Sequence, residues 1–284
     1  MNRDSQLKTI TIVGLGLMGG SLAARCRQKF PSSRIIGVSR SREALKVAKK
    51  NKWIHEGTGD LKDGVRDAGF VVICTPVNTL ESFLDRLERA ARQGTVVTDV
   101  GSVKTPVVGW AEKRKLQNIH FVGAHPMTGS EARGIEAARP ELYARSFTFV
   151  VRSKNVDAEA FRFVKSFWKK ISPRVHVLSA ADHDGIVGEI SHMPHAVAVC
   201  LMLAVSKKSI RYAGPGFYDL TRIAAGYPPL WFSIFEKNRE EIERALNRFE
   251  EKIRAFKIFL AKKGKNHFRR MLFDACERRR QILV

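Results

Sequence analysis

A histidine closes the apolar run HFVGAH (120–125), and the chain continues PMTGSEARG. His125 thus stands at the end of a candidate strand, where an imidazole with a pKa near working pH can take a proton from a substrate. A second run, TVVTDV (95–100), is followed by GSVK, which sets Asp99, Ser102 and Lys104 around another strand end. Ligands of an open α/β sheet bind outside the carboxyl ends of its strands, so both runs point at one crevice. A lone histidine is more often structural. A dinucleotide motif upstream shifts the balance toward chemistry.

That motif is GLGLMGG (14–20), in which Gly14, Gly16 and Gly19 match G-x-G-x-x-G between a strand and a helix. The first glycine permits the tight turn, the second lets the backbone approach a pyrophosphate, and the third lets helix and strand pack closely. Leu17 and Met18 within the turn, and Thr75 and Pro76 after FVVIC, complete the candidate cofactor contacts. A fold that prefers NAD usually carries an acid at the end of its second strand, for the ribose 2′-OH. Here RIIGV (34–38) runs into Ser39-Arg40-Ser41-Arg42. An acid there would repel a 2′-phosphate, whereas Arg40 and Arg42 offer charge-assisted bonds and Ser39 a hydroxyl. The expected cofactor is NADP, with NAD possible; the alternative is a solvated charge pair at a strand end.

The second half adds EISHMPHAV, where Glu189, His192 and His195 sit three apart on a helix. Two histidines with no third ligand nearby fall short of a zinc set, so no metal is expected. DLTRIAAGYPPLW places Arg222 before a Gly-Tyr-Pro break, where a guanidinium facing a cleft can clamp a carboxylate.

The elements that position these residues alternate. Strand patterns at 8–13, 34–38, 70–75, 95–100 and 120–125 alternate with amphipathic helices, and SFTFVV, a helix around AEAFRFVKSFWKKI, and RVHVLS (174–179) follow. Such alternation means βαβ units and a parallel sheet. After Ser179 the pattern is helical to the end. The expected fold is α/β: a Rossmann-type parallel-sheet domain, 1–180, then an all-α domain, 181–284.

Of the 284 residues, 44% are hydrophobic, an ordinary globular share. Four scattered cysteines fit neither a zinc spacing nor a disulfide framework. No membrane span and no signal-peptide core are expected, which suggests a cytoplasmic protein. The 50 Lys and Arg against 28 Asp and Glu give a net charge of +22. That balance is compatible with nucleic acid, but the excess is spread out: 31 basic and 16 acidic residues in 1–180, 19 and 12 in 181–284. A nucleic-acid role is therefore not expected, and a basic surface that attracts small anions is preferred.

Taken in order, GLGLMGGSLA, FVVICTPV, TDVGSVK, HPMTGSEARG, ISHMPHAVA and DLTRIAAGYPPLW resemble the prephenate/arogenate dehydrogenases of tyrosine biosynthesis, most closely the NADP-using, arogenate-preferring members. The resemblance runs from Lys8 to beyond Trp231. It implies an oxidative decarboxylation and a homodimer made by the helical domain. It also implies roles: His125 accepts the proton of the ring hydroxyl, with Ser102 as its orienting partner. Arg222 anchors a substrate carboxylate, His192 and His195 position substrate, Glu131 joins an ionic network at the cleft mouth, and Trp231 closes the pocket wall. Asp182 and Asp184 are candidates for binding an ammonium group. Another decarboxylating hydroxyacid dehydrogenase would need a lysine on the long helix, and none occurs between His192 and Lys207.

Overall fold

A computed structural model of the chain describes residues 6–262 and 265–282. Residues 1–5, on which the expected lack of a signal peptide partly rests, lie outside these, as do 263–264 and 283–284 of the helical half.

Six strands, β1 (Thr9–Val13), β2 (Arg34–Val38), β3 (Glu56–Thr58), β4 (Phe70–Ile73), β5 (Thr95–Asp99) and β6 (Ile119–Val122), form one parallel sheet in the order β3-β2-β1-β4-β5-β6. Period two sends alternate side chains to opposite faces. Ile10, Ile12, Phe70, Val72 and Val96 enter one core with α1 (Leu17–Lys29). Val13, Val71, Ile73 and Val97 enter another. The helices α2 (Arg42–Lys50), α3 (Leu61–Val65), α4 (Leu80–Ala90), α5 (Thr105–Arg114), α6 (Glu141–Ala144) and α7 (Ala158–Ile171) complete this half. Leu80, Leu84 and Leu87 of α4, and Phe161, Phe163, Phe167 and Trp168 of α7, are the buried stripes expected of amphipathic helices. The short β3 and α3 carry too little pattern to be foreseen.

One expected strand is two. HFVGAH breaks at Gly123: β6 stays in the parallel sheet, and β7 (Ala124–Pro126) joins a second sheet, ordered β7-β8-β9, with β8 (Phe147–Val151) and β9 (Arg174–Leu178). β7 pairs antiparallel with β8, and β9 parallel. The cause is a buried ion pair. Asp99 and Lys104 bond each other, Asp99 Oδ1 accepts from the Ala124 amide at 3.0 Å, and Lys104 Nζ donates to the Ala124 carbonyl at 2.9 Å. Side chains thus replace the β5 backbone as partners of the residue before His125.

Past Leu178 the described residues hold no strand. The helices are α8 (Ala180–Val187), a π turn (Gly188–His192), α9 (Met193–Ala204), α10 (Lys207–Ile210), α11 (Pro215–Thr221), a 3₁₀ turn (Arg222–Ala225), α12 (Pro228–Lys237), α13 (Arg239–Lys262) and α14 (Lys265–Arg280). Contrary to the expectation of no spanning stretch, Ala180–Ala204 is long and apolar enough by composition to cross a membrane, with a mean hydropathy of 1.5. Its buried polar side chains are used within the protein, as the site below shows.

Candidate active site

The glycine turn builds a phosphate-sized gap. Gly14 has φ +95°, and a Cβ there would lie 2.9 Å from the Cys74 carbonyl oxygen. A Cβ on Gly19 would strike the Gly14 carbonyl oxygen, so the helix approaches the turn only through glycine. Around Gly16 there is open space, and Gly16 leaves the start of α1 without a side-chain cap. The free amides and dipole of a 13-residue helix therefore face the gap, a fit for an anionic pyrophosphate.

The gap belongs to a groove of about 1030 Å³ lined by Gly14, Gly16, Ser39, Arg40, Thr75 and Pro76 among others. Leu17 and Met18 pack partly against the core, and neither they nor Gly19 are among the lining residues. Arg42 begins α2 beside the groove and does not line it either. Ser39 Oγ accepts from the Ser41 amide at 3.2 Å, and Ser41 caps α2 through the Ala44 amide. The groove adds two cations that the sequence reading passed over, Arg86 and Arg133. Arg133 lies 3.5 Å over the Tyr227 ring of the helical half.

His125 projects from β7 and is buried. Its Nδ1 bonds His183 Nε2 at 2.9 Å, and His183 Nδ1 bonds Asp184 Oδ1 at 2.7 Å. A carboxylate only accepts, so His183 Nδ1 carries the hydrogen. Burial pushes the pKa of both rings down, His125 well below 6.5, where His183 and Lys104 add to the effect. With both neutral, His183 Nε2 holds a lone pair and accepts from His125 Nδ1–H. The lone pair of His125 then sits on Nε2, which no described protein group engages.

His183, which the sequence did not single out, is the partner of His125 at Nδ1; Ser102 is half-buried in the β5–α5 loop. Asp184 is no ammonium site, because its oxygens accept from His183 and from the amides of Lys104 (2.8 Å) and Thr105 (2.7 Å). Asp182 accepts from Ser179 Oγ at 2.6 Å near the start of α8. The available signal for His183 was DHD, three polar residues running into an apolar helix.

His192 and His195 are buried, and each has one buried ring nitrogen without a partner, Nε2 of His192 and Nδ1 of His195. Burial lowers both pKa values to about 4. His195 stacks on Trp231, ring centroids 3.5 Å apart. A Cβ on Gly226 would lie 2.4 Å from Trp231 Nε1, so the Gly-Tyr-Pro turn is what admits this stack. Arg222 and Glu131 form an exposed ion pair, Nη1 to Oε2 at 2.9 Å. Glu189 pairs with Arg248 at 2.6 Å, and no metal-sized cluster of His, Cys, Asp or Glu occurs among the described residues.

A dinucleotide groove and a neutral buried imidazole with its lone pair free, tied to the helical half through His183, are features of a nucleotide-dependent oxidoreductase. The nucleotide-binding domain of prephenate dehydrogenase matches residues 22–177, and the dimerization domain of the same enzyme matches residues 179–274. The chain belongs to the prephenate dehydrogenase family. It is 36% identical over 261 residues to prephenate dehydrogenase of Bacillus subtilis, covering 88% of this chain and 69% of that protein. It is 30% identical to cyclohexadienyl dehydrogenase of Zymomonas mobilis, covering 89% of each. The crystal structure of Aquifex aeolicus prephenate dehydrogenase in complex with hydroxyphenyl propionate and NAD+ superposes with a TM-score of 0.89 at 30% identity, over 97% of this chain and 98% of that one.

Proposed function

We propose that the protein catalyses the NADP-dependent oxidative decarboxylation of arogenate, prephenate or both. The observation that carries this is the His125–His183–Asp184 chain at the carboxyl end of the sheet. Bound in the groove, the dinucleotide supplies a two-electron acceptor for the hydride at the carbinol carbon of the ring. His125 Nε2 takes the hydroxyl proton as the carbonyl forms. The bond to the ring carboxylate then breaks, carbon dioxide leaves, and its electron pair passes through the ring to the carbonyl oxygen, which takes the proton back from His125 as an aromatic hydroxyl. Ser102 assists in orienting His125 from the nicotinamide side. Arg222 exchanges Glu131 for a substrate carboxylate, His192 and His195 position the ring and its anionic groups, and Trp231 walls the pocket.

Ser39 and Arg40 in the groove support NADP over NAD, with Arg86 and Arg133 adding positive potential for the phosphates. The division at residue 180 assigns the cofactor to 1–180 and dimerisation to 181–284. Exposed Leu203, Tyr212, Tyr218, Leu220 and Phe232 on the helical half support a homodimer. A cytoplasmic home fits a substrate that is a small anion. The deciding experiment is a two-by-two assay, prephenate and arogenate against NAD and NADP, following reduced cofactor. No turnover in any of the four combinations overturns the reading.

A further inference from the structure

Asn238 joins α12 to α13 and is buried. Its backbone is held on both sides: its amide donates to the Ile234 carbonyl at 2.9 Å, and its carbonyl accepts from Ile242 at 3.1 Å. Its side-chain nitrogen reaches two atoms, the Asp184 carbonyl oxygen at 3.0 Å and His192 Nδ1 at 3.0 Å. A carbonyl only accepts, which fixes the amide with Nδ2 on this side. One hydrogen of the NH₂ goes to Asp184 and the other to His192. His192 Nδ1 must therefore hold a lone pair, and its hydrogen must lie on Nε2. That Nε2 is buried and has no partner among the described residues. A buried donor left unmade is costly, so something else accepts from it. The π turn at Gly188–His192 sets the direction of the ring, since one extra residue shifts the helix phase by about 100°.

We infer that Asn238 is a positioning residue that holds His192 as an Nε2–H donor, aimed at an oxygen of the anionic substrate. The inference rests on the proposed dehydrogenase reading for the identity of the acceptor, but not for the tautomer. The two histidines thereby take opposite roles: His183 and Asp184 make His125 an acceptor at Nε2, and Asn238 makes His192 a donor at Nε2. Asp184 serves both, by its carboxylate toward His183 and by its backbone carbonyl toward Asn238. A base and a donor on one substrate must differ in this way, because two acceptors would repel its oxygens.

Long-range ¹⁵N–¹H spectra of the substrate-free, histidine-labelled full chain read the tautomer directly, with His192 identified by the signal lost in His192→Gln. The expected pattern is a protonated Nε2 and a bare Nδ1; the reverse pattern overturns the proposal whatever the enzyme turns over. Asn238→Asp replaces the donor by an acceptor and should move the hydrogen to Nδ1. KM for the substrate should then rise tenfold or more, with kcat and dinucleotide affinity within about threefold. In a His192→Gln background no tautomer remains to be set, and the same substitution should change KM less than threefold. An equal KM effect in both backgrounds marks Asn238 as structural only and sinks the proposal. If Asn238→Asp fails to fold, the spectrum of the unaltered protein still decides. Absence of any turnover with prephenate or arogenate, together with the expected spectrum, would discard the substrate reading and keep the tautomer.

Discussion

The rings of His125 and His183 are hydrogen-bonded, Nδ1 to Nε2 at 2.9 Å, and this bond crosses from the second sheet to the first helix of the helical half. Asp184, the next residue, accepts from the amides that start α5, and so stitches that helix to α8. One carboxylate thus fixes both how the two halves meet and which nitrogen of His125 is bare. Catalysis that depends on the tautomer therefore depends on the docking of the halves as well.

His125→Asn should lower kcat by about 10²–10⁴-fold, the usual worth of general acid–base catalysis, and leave dinucleotide affinity unchanged. Steady-state rates and an equilibrium titration of the cofactor separate the two. The pH profile gives a second check. The pKa of His125 is pushed well below 6.5 by burial, so the ring stays neutral and able to accept as pH falls through 6.5. The acid limb of kcat/KM should lie below that value. An acid limb at or above 6.5, or a His125→Asn variant within threefold of the parent, moves the base elsewhere.

Asp184→Asn places an amide against His183 Nδ1. If that amide donates, the hydrogen moves to His183 Nε2, and His125 is left with its lone pair on the wrong nitrogen. A wrong tautomer in the serine protease triad costs about 10⁴ in kcat. A loss of at least about 100-fold is expected here, with the far-ultraviolet circular dichroism of a folded protein. A folded variant with near-normal kcat would show that the chain of bonds does not govern His125.

Arg222 is held by Glu131 in a pair that is exposed on both sides. Such pairs are worth about 0–1 kcal/mol, so a substrate carboxylate can displace Glu131 at little cost. Arg222→Ala should raise KM roughly 30- to 1000-fold, the loss of a charge-assisted bidentate contact, and spare kcat more than His125→Asn does. Glu131→Gln should move KM less than about fivefold, the limit that an exposed pair allows. A KM unaffected by Arg222→Ala would leave that arginine as a surface pair.

Burial of neutral His192 and His195 makes stability depend on pH. In the unfolded chain each takes up a proton near pH 6.5; in the folded protein each resists until about 4. The stabilisation is complete above 6.5 and is lost as pH falls from 6.5 to about 4. Each ring contributes on the order of 3 kcal/mol across that window. Urea midpoints at pH 7 and pH 4.5 should differ accordingly, and the difference should shrink in His195→Phe. A midpoint independent of pH over this range would mean that these rings are not buried neutral.

The parallel sheet, the glycine turn and the helical second half were legible because each rests on local rules: period two, period 3.6 and the steric needs of glycine. The break at Gly123 was not, since it arises from the Asp99–Lys104 pair capturing Ala124, a contact between residues 20 and 25 apart in sequence. His125, His192, His195 and Arg222 could be picked out by residue type and motif. Their wiring could not. His183 and Asn238 lie 58 and 46 residues from the rings they hold, and nothing in the local sequence of either marks its partner. Arg133 escaped for the same reason: its place in the groove is set by Tyr227, a residue of the other half.

Cofactor choice comes down to the end of β2, because NAD and NADP share every other contact. Ser39 and Arg40 line the groove there, and no acid occurs from Arg34 to Arg42. Glu43 also lines the groove, but its place in the first turn of α2 adds a negative charge that opposes a phosphate. Glu136 lines the groove as well, so two carboxylates stand against Arg40, Arg86 and Arg133, and the proposed NADP preference rests on that balance of three cations to two anions. Charge-assisted bonds at a partly exposed site are worth about 1.5–3 kcal/mol, so kcat/KM should favour NADP by roughly 10- to 150-fold. Arg42, outside the groove, should matter little: Arg42→Ala is expected to change the preference less than threefold. Ser39→Asp with Arg40→Ile should reverse it, since the new acid repels the phosphate and accepts from the ribose hydroxyls. The preference should also shrink as salt rises, because the site is open to solvent. Initial rates with both cofactors at low and high salt test all of this. Equal kcat/KM for NAD and NADP in the unaltered protein would reduce Arg40 to surface charge and assign the groove to NAD.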